Sequence, residues 1–211
     1  MMRCLKFFLF AILMAATLRT GHTAEIPDPL KFMEQETRVL FEILKSRDPN
    51  DPENIKMARE KIRTQLFKIF DGRRVSALAL ARNLRSFNEE QFKQFSDAFS
   101  ELLYLKYLET IESYSGEQFL FSKFAAIDEG KTTVDGKVIT ADKEIPFSYD
   151  LILTENRWRI FDIKVEGISL IQNYRTQFRE FLVSNTPDAL IAQVKEKVEQ
   201  LDQSINHSAA K

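Results

Sequence analysis

Cysteine and histidine are almost missing from this chain: Cys4 is the single cysteine, and His22 and His207 are the two histidines. One cysteine cannot close an internal disulfide or build a zinc-thiolate site, and without a placed histidine the commonest general base and metal ligand are lacking. Glycine is sparse too, at six residues, and none belongs to a Gly-rich phosphate loop. The G-x-S-x-G elbow and the H-E-x-x-H helix are likewise missing. No catalytic motif, cofactor or nucleotide site is therefore expected. An excess of positive charge is lacking as well, with 30 Lys and Arg against 31 Asp and Glu, which disfavours a nucleic-acid partner.

Long apolar runs are limited to one. Arg3 and Lys6 precede the run from Phe7 to Leu18, which only Thr17 interrupts. That pattern predicts a signal peptide over residues 1–24, because the run is too short to span a bilayer and the small residue Ala24 suits a cleavage site. Cys4 lies before the run, where lipid attachment does not occur. Of the basic residues, Arg3, Lys6 and Arg19 fall in this segment, which leaves 27 against 31 acidic ones and a net charge of −4. No second long apolar run follows, so the remainder is expected to be soluble. Its length suits one domain with a real core, expected over 25–203, with a polar, disordered tail over 204–211.

Helix starts are marked by an acceptor followed by proline at Asp28-Pro29, Asp51-Pro52 and Thr186-Pro187. In the helix from Pro52, Ile55, Ala58, Ile62, Leu66 and Ile69 form an apolar stripe. Lys56, Arg59, Lys61 and Arg63 are expected on its solvated side. A short helix is expected over Arg74 to Asn83. Asn88 and Gln91 form a capping pair for a long helix to about Tyr114. Along that helix Phe92, Phe95, Phe99, Leu102 and Leu103 make one stripe, and Tyr104, Leu105, Tyr107, Leu108 and Ile111 spread around the circumference. It must bury more than one face.

After Gly116 the period changes to two. Alternating segments at Phe119–Phe124, Val134–Thr140, Ile145–Leu153 and Arg157–Val165 predict antiparallel strands. Asp135-Gly136 reads as a hairpin turn and Glu155-Asn156 as a weaker one. Pro146 argues for an edge or a bulge. The fold class that follows is α+β: a curved antiparallel sheet of four or five strands packed against about six helices.

The segment Trp158-Arg-Ile-Phe-Asp-Ile-Lys-Val-Glu-Gly-Ile-Ser-Leu-Ile-Gln-Asn-Tyr-Arg-Thr-Gln-Phe178 reads as strand, turn and helix, with Leu170, Tyr174, Phe178 and Leu182 on one helical face. This order of residues resembles the MlaC family of periplasmic phospholipid carriers, the auxiliary components of an ABC transporter. The resemblance implies a periplasmic location and phospholipid as cargo. It also implies two partners, an outer-membrane lipoprotein complex and an inner-membrane ABC transporter complex. Taken singly, Trp158, Ile160, Tyr174 and Phe178 read equally well as core residues.

Once Phe7, Phe8 and Phe10 are set aside, 15 phenylalanines remain, more than a simple two-layer packing needs. By the two-residue period Phe119, Phe121, Phe147, Tyr149 and Leu151 share an inward face, opposite Val75, Leu78, Leu102 and Leu105 from helices. Periodicity alone favours a filled core there. The resemblance points instead to an apolar pocket between sheet and helices, with these nine residues as its lining. Arg73, Arg74, Lys137, Arg157 and Arg159 read as surface charge, and no headgroup site is assigned. Two other readings stand beside the carrier. One is a small enzyme with Asp150 or Asp162 as a base beside Tyr149 or Tyr174; the other is an adaptor that carries no lipid.

Overall fold

The computed structural model describes residues 26–209; the expected signal peptide lies outside them. Four helices come first: α1 (Pro29–Lys45), α2 (Pro52–Ile69), α3 (Gly72–Leu80) and, after a 3-10 turn at Ala81–Ser86, α4 (Glu89–Glu112). Five strands follow: β1 (Gln118–Phe124), β2 (Lys131–Ile139), β3 (Glu144–Thr154), β4 (Arg157–Val165) and β5 (Ile168–Ser169). Helices α5 (Leu170–Phe181) and α6 (Pro187–Ala209) close the chain. The sheet is an antiparallel meander in the order β1-β2-β3-β4-β5, so the α+β expectation holds.

The caps act where the sequence places them. Asp28 Oδ1 accepts from Leu30 N at 2.9 Å, and Asp51 Oδ1 accepts from Glu53 N at 3.0 Å. Asn88 and Gln91 form a reciprocal capping box at the start of α4. The short helix starts at Gly72, because the Asp71 carboxylate caps it by accepting from Arg74 N at 2.9 Å. At the other end of the chain α6 continues to Ala209, which corrects the expected tail from 204: Ile205 is half-buried against the cluster of Ile62, Tyr104, Leu105 and Leu108.

Helix α4 buries two faces, as its spread of apolar residues requires. Phe92, Phe95, Phe99 and Leu102 join Val75 and Ala79 of α3, Tyr174 and Phe178 of α5, and Leu190 and Val194 of α6 in the largest core. Tyr104, Leu105 and Leu108 pack with Ile62 of α2 and Leu40 of α1. The expected solvated side of α2 is corrected in part. Arg59 Nε and Nη2 each donate to Glu112 at 2.9 Å, and Arg63 reaches Glu101 at 2.8 Å, so these two arginines clamp α2 to α4.

Turn chemistry divides the two hairpin signals. Glu155 and Asn156 take φ values of 51° and 58° and join β3 to β4, as a two-residue primed turn requires. Asp135-Gly136 is no turn; both residues lie inside β2, paired with Ser148 and Phe147. Glycine stands at 136 for space. A Cβ there would lie 2.5 Å from Phe147 Cζ and 2.7 Å from Leu120 O, so the Phe147 ring lies against the bare backbone. Pro146 sits inside β3, not on a sheet edge, and its carbonyl accepts from Glu166 N at 2.9 Å where β4 ends. The bulges fall elsewhere, between Phe121 and Lys123 and opposite Asp150 and Leu151.

The strand-turn-helix segment joins two cores. Trp158 and Ile160 of β4 pack in the sheet core with Met33, Ile69, Val134 and Leu151, whereas Tyr174 and Phe178 of α5 pack in the helical core. Between them Asp162 is buried and accepts from Ser169 Oγ at 2.6 Å and from Ile171 N at 3.1 Å. Ser169 Oγ in turn caps α5 through Gln172 N at 3.0 Å. Trp158 Nε1 donates to Pro27 O at 2.6 Å, which ties the start of α1 to the sheet.

Two substitutions test these supports. Asp162→Ala leaves the Ser169 hydroxyl and Ile171 N–H without their acceptor, and is expected to cost about 2–4 kcal/mol, read as a lower urea midpoint with an unchanged slope. Gly136→Ala is expected to cost about 1–3 kcal/mol and to alter the near-ultraviolet dichroism of the aromatic residues, because Phe147 must move.

Candidate functional site

Alternation along the strands collects large apolar side chains on the inward face of the sheet. Cross-strand register puts Phe121 opposite Gly136, Gly136 opposite Phe147, and Val134 opposite Tyr149, which faces Ile163. The rings then form a continuous row. Phe119 and Phe147 are 5.9 Å apart between centroids, Phe121 and Phe147 5.6 Å, and Phe147 and Tyr149 5.2 Å. Phe41 of α1 extends the row to Phe119 at 5.2 Å and stacks on Tyr114 at 4.1 Å.

Coverage of this row is incomplete. Phe41, Tyr114, Phe119, Phe121, Tyr149 and Ile163 are all only half-buried, although Phe147 is 7% exposed. The helical core is filled by contrast, with Phe95 and Phe99 at 0%. Tyr149 shows the difference most clearly. Burial pushes its phenol up to about 12, yet the side chain keeps accessible surface. The ring packs between those of Phe147 and Phe121 while part of the residue stays exposed.

Of the nine residues expected to line a pocket, five come together on this face. Phe119, Phe121, Phe147 and Tyr149 form the row, and Leu151 lies beneath it, fully buried in the core with Trp158. Val75, Leu78 and Leu102 pack in the helical core instead, and Leu105 packs against Ile62 and Tyr104. The helices nearest the row are α1 and α2, which bring Phe41, Leu30, Met33 and Leu66 toward the sheet. Phe41, Tyr114 and Ile163 are additions to the expected lining. Ile163 had a visible signal in its strand period, whereas Phe41 requires knowing that α1 crosses the sheet.

Open recesses of about 350 Å³ lie away from this row. One is lined by Ile43, Glu60, Lys61, Thr64 and Gln65, the other by Asp71, Arg73, Arg74, Ala77, Leu78 and Phe92. Charged residues line both, Glu60 and Lys61 in the first and Asp71, Arg73 and Arg74 in the second, so the aromatic face is the stronger candidate for an apolar ligand.

Charged groups around the sheet are engaged with one another. Arg73 reaches Glu89 at 2.7 Å, Arg74 reaches Asp71 at 3.5 Å and Lys137 reaches Glu144 at 2.8 Å. Arg159 donates to Lys68 O at 3.3 Å, and Arg157 is exposed beside the β3–β4 turn. Asp150 accepts from Thr133 Oγ1 at 2.7 Å and pairs with Lys164 at 2.8 Å. Asp150 and Asp162 oppose each other across β3 and β4, on the face away from Tyr149. Neither carboxylate pairs with Tyr149 or with Tyr174, whose hydroxyl has no hydrogen-bond partner, so the pairing that the enzyme reading requires does not form. Asp162 instead supports the start of α5.

Among the described residues no helix is long and apolar enough to cross a membrane. A phospholipid-binding protein from Ralstonia solanacearum, solved in complex with a phospholipid, superimposes with a TM-score of 0.72. That match is 20% identical in sequence and covers 83% of this chain and 99% of the other, so the two share a fold. The family model described as MlaC protein matches residues 34–196, which takes in α2 to α5, the whole sheet and most of α1. The chain belongs to the MlaC family.

Proposed function

We propose that this protein is a phospholipid carrier that holds acyl chains along the aromatic inward face of its sheet. The observation that carries this reading is the contrast between a filled helical core and a row of aromatic side chains left half-covered. A contiguous apolar surface of that kind marks a place where something apolar binds. Membership of the MlaC family, and the phospholipid bound to a protein of the same fold, support a phospholipid as what binds there.

Energetics set the role. Each buried methylene is worth about 0.8 kcal/mol, so a sixteen-carbon chain represents on the order of 12 kcal/mol against water. Lipid does not cross an aqueous compartment unaided. Transfer between a bilayer and an apolar cleft is nearly balanced, because both environments are apolar, so direction comes from partners. The carrier works in the periplasm after removal of residues 1–24, between an outer-membrane lipoprotein complex and an inner-membrane ABC transporter complex. The headgroup stays outside, which agrees with cations already paired at the surface.

Gentle purification followed by native mass spectrometry and lipid extraction tests the reading. One phospholipid per chain is expected, and lipid-free protein that also takes nothing from vesicles would leave the adaptor reading in its place. Phe121→Asp puts a charge into the row at a half-buried position. It is expected to reduce uptake from vesicles at least about tenfold while the far-ultraviolet dichroism stays that of the parent.

A further inference from the structure

One polar atom lies within the part of the aromatic row that the sheet supplies. Tyr149 stands in the middle of β3, flanked by Val134 and Ile163, with the Phe147 ring at 5.2 Å and the Phe121 ring at 6.4 Å. Among the described residues its hydroxyl makes no hydrogen bond and, unlike the hydroxyl of Tyr174, it is not sealed from solvent, so the chain leaves it to water or to a ligand. The neighbouring polar groups cannot serve it. Asp150, Thr133 and Lys164 point to the other face and satisfy one another, with Thr133 Oγ1 to Asp150 at 2.7 Å and Lys164 Nζ to Asp150 at 3.1 Å.

Tyr174 makes a useful contrast. Its hydroxyl is also without a partner, but it is sealed in the helical core beside Phe99 and Phe178, where a ligand cannot reach it. Tyr149 keeps accessible surface, so its partner can come from outside the chain.

We propose that Tyr149 is the polar anchor of the cleft, its hydroxyl donating a hydrogen bond to an ester carbonyl where an acyl chain joins the glycerol of the bound lipid. This rests on the carrier reading and specifies the lipid class it selects. The chemistry of the surroundings chooses the acceptor. An acyl chain offers no acceptor, and a phosphate would bring a negative charge among aromatic rings, while Lys137 and Lys164 of the sheet are already paired with Glu144 and Asp150. An ester carbonyl is neutral and sits at the end of the apolar chain. The phenol stays protonated throughout the neutral range, since burial raises it to about 12, and so remains a donor. Ether-linked lipids have the same chains and headgroup but lack the carbonyl. The site therefore discriminates ester from ether linkage.

The test uses the purified protein and vesicles containing equal amounts of a diacyl phosphatidylglycerol and its dialkyl ether analogue of matched chain length. Mass spectrometry reads the ratio of the two lipids taken up by the parent and by Tyr149→Phe, which removes one oxygen and keeps the ring. The expected parent ratio of diester to diether is about threefold to tenfold above that of the variant, with both proteins loaded. Equal ratios in the two proteins, with lipid bound, would overturn the anchor and leave the carrier standing. Failure of the parent to load either lipid would overturn the carrier reading, and the anchor with it.

Discussion

Asp162 accepts hydrogen bonds from the Ser169 hydroxyl and the Ile171 amide while its own strand pairs in the sheet. A buried carboxylate is tolerated only when its oxygens are satisfied, and here the groups that satisfy it belong to the turn and the start of α5. This fixes where the helix leaves the sheet. Ile171, Tyr174 and Phe178 are thereby aimed into the helical core, and the inward face of β1 to β3 is left to α1 and α2. Were α5 to dock across the sheet instead, its aromatic residues would cover the row that Phe119, Phe121, Phe147 and Tyr149 form.

The molecule thus separates two tasks that compete for the same kind of residue. Stability comes from the dense core of α3 to α6, where Phe178 meets Phe95 and Phe99 ring to edge at 5.3 and 5.1 Å and water is excluded. Binding needs apolar surface that the chain does not finish covering. Salt bridges such as Arg59 to Glu112 hold α2 against α4 without drawing on more apolar surface. Gly136 contributes in the same sense, since the missing side chain lets the Phe147 ring lie against β2 and keeps the row level.

Much of the scaffold was legible in residue order. Proline after an acceptor marked three helix starts, and the four-residue period of α5 and the two-residue period of the strands gave the right classes. The sheet half of the expected lining shares one face, as that same strand period requires, because Phe119, Phe121, Phe147 and Tyr149 share parity and lie on paired strands. The helix half did not follow. Periodicity says that Leu102 and Leu105 are buried, but it does not say against what; α4 packs on α2, α3, α5 and α6, so those leucines enter other clusters. Asp135-Gly136 misled for a related reason, since glycine has two uses in a hairpin protein, positive φ and close approach, and only the packed Phe147 ring distinguishes them. The helix past Gln203 escaped notice because one half-buried residue, Ile205, anchors an otherwise polar stretch.

Trp158 is the single tryptophan, and it shares a packed cluster with Leu151, Tyr149, Phe121 and Ile163. Its fluorescence therefore reports on the inward face directly. Phospholipid carrying a nitroxide along an acyl chain should quench Trp158 on loading, and the same label placed on the headgroup should quench it far less. Bound lipid whose chain label leaves Trp158 unquenched, or whose headgroup label quenches it equally well, would contradict an acyl chain lying along the aromatic face.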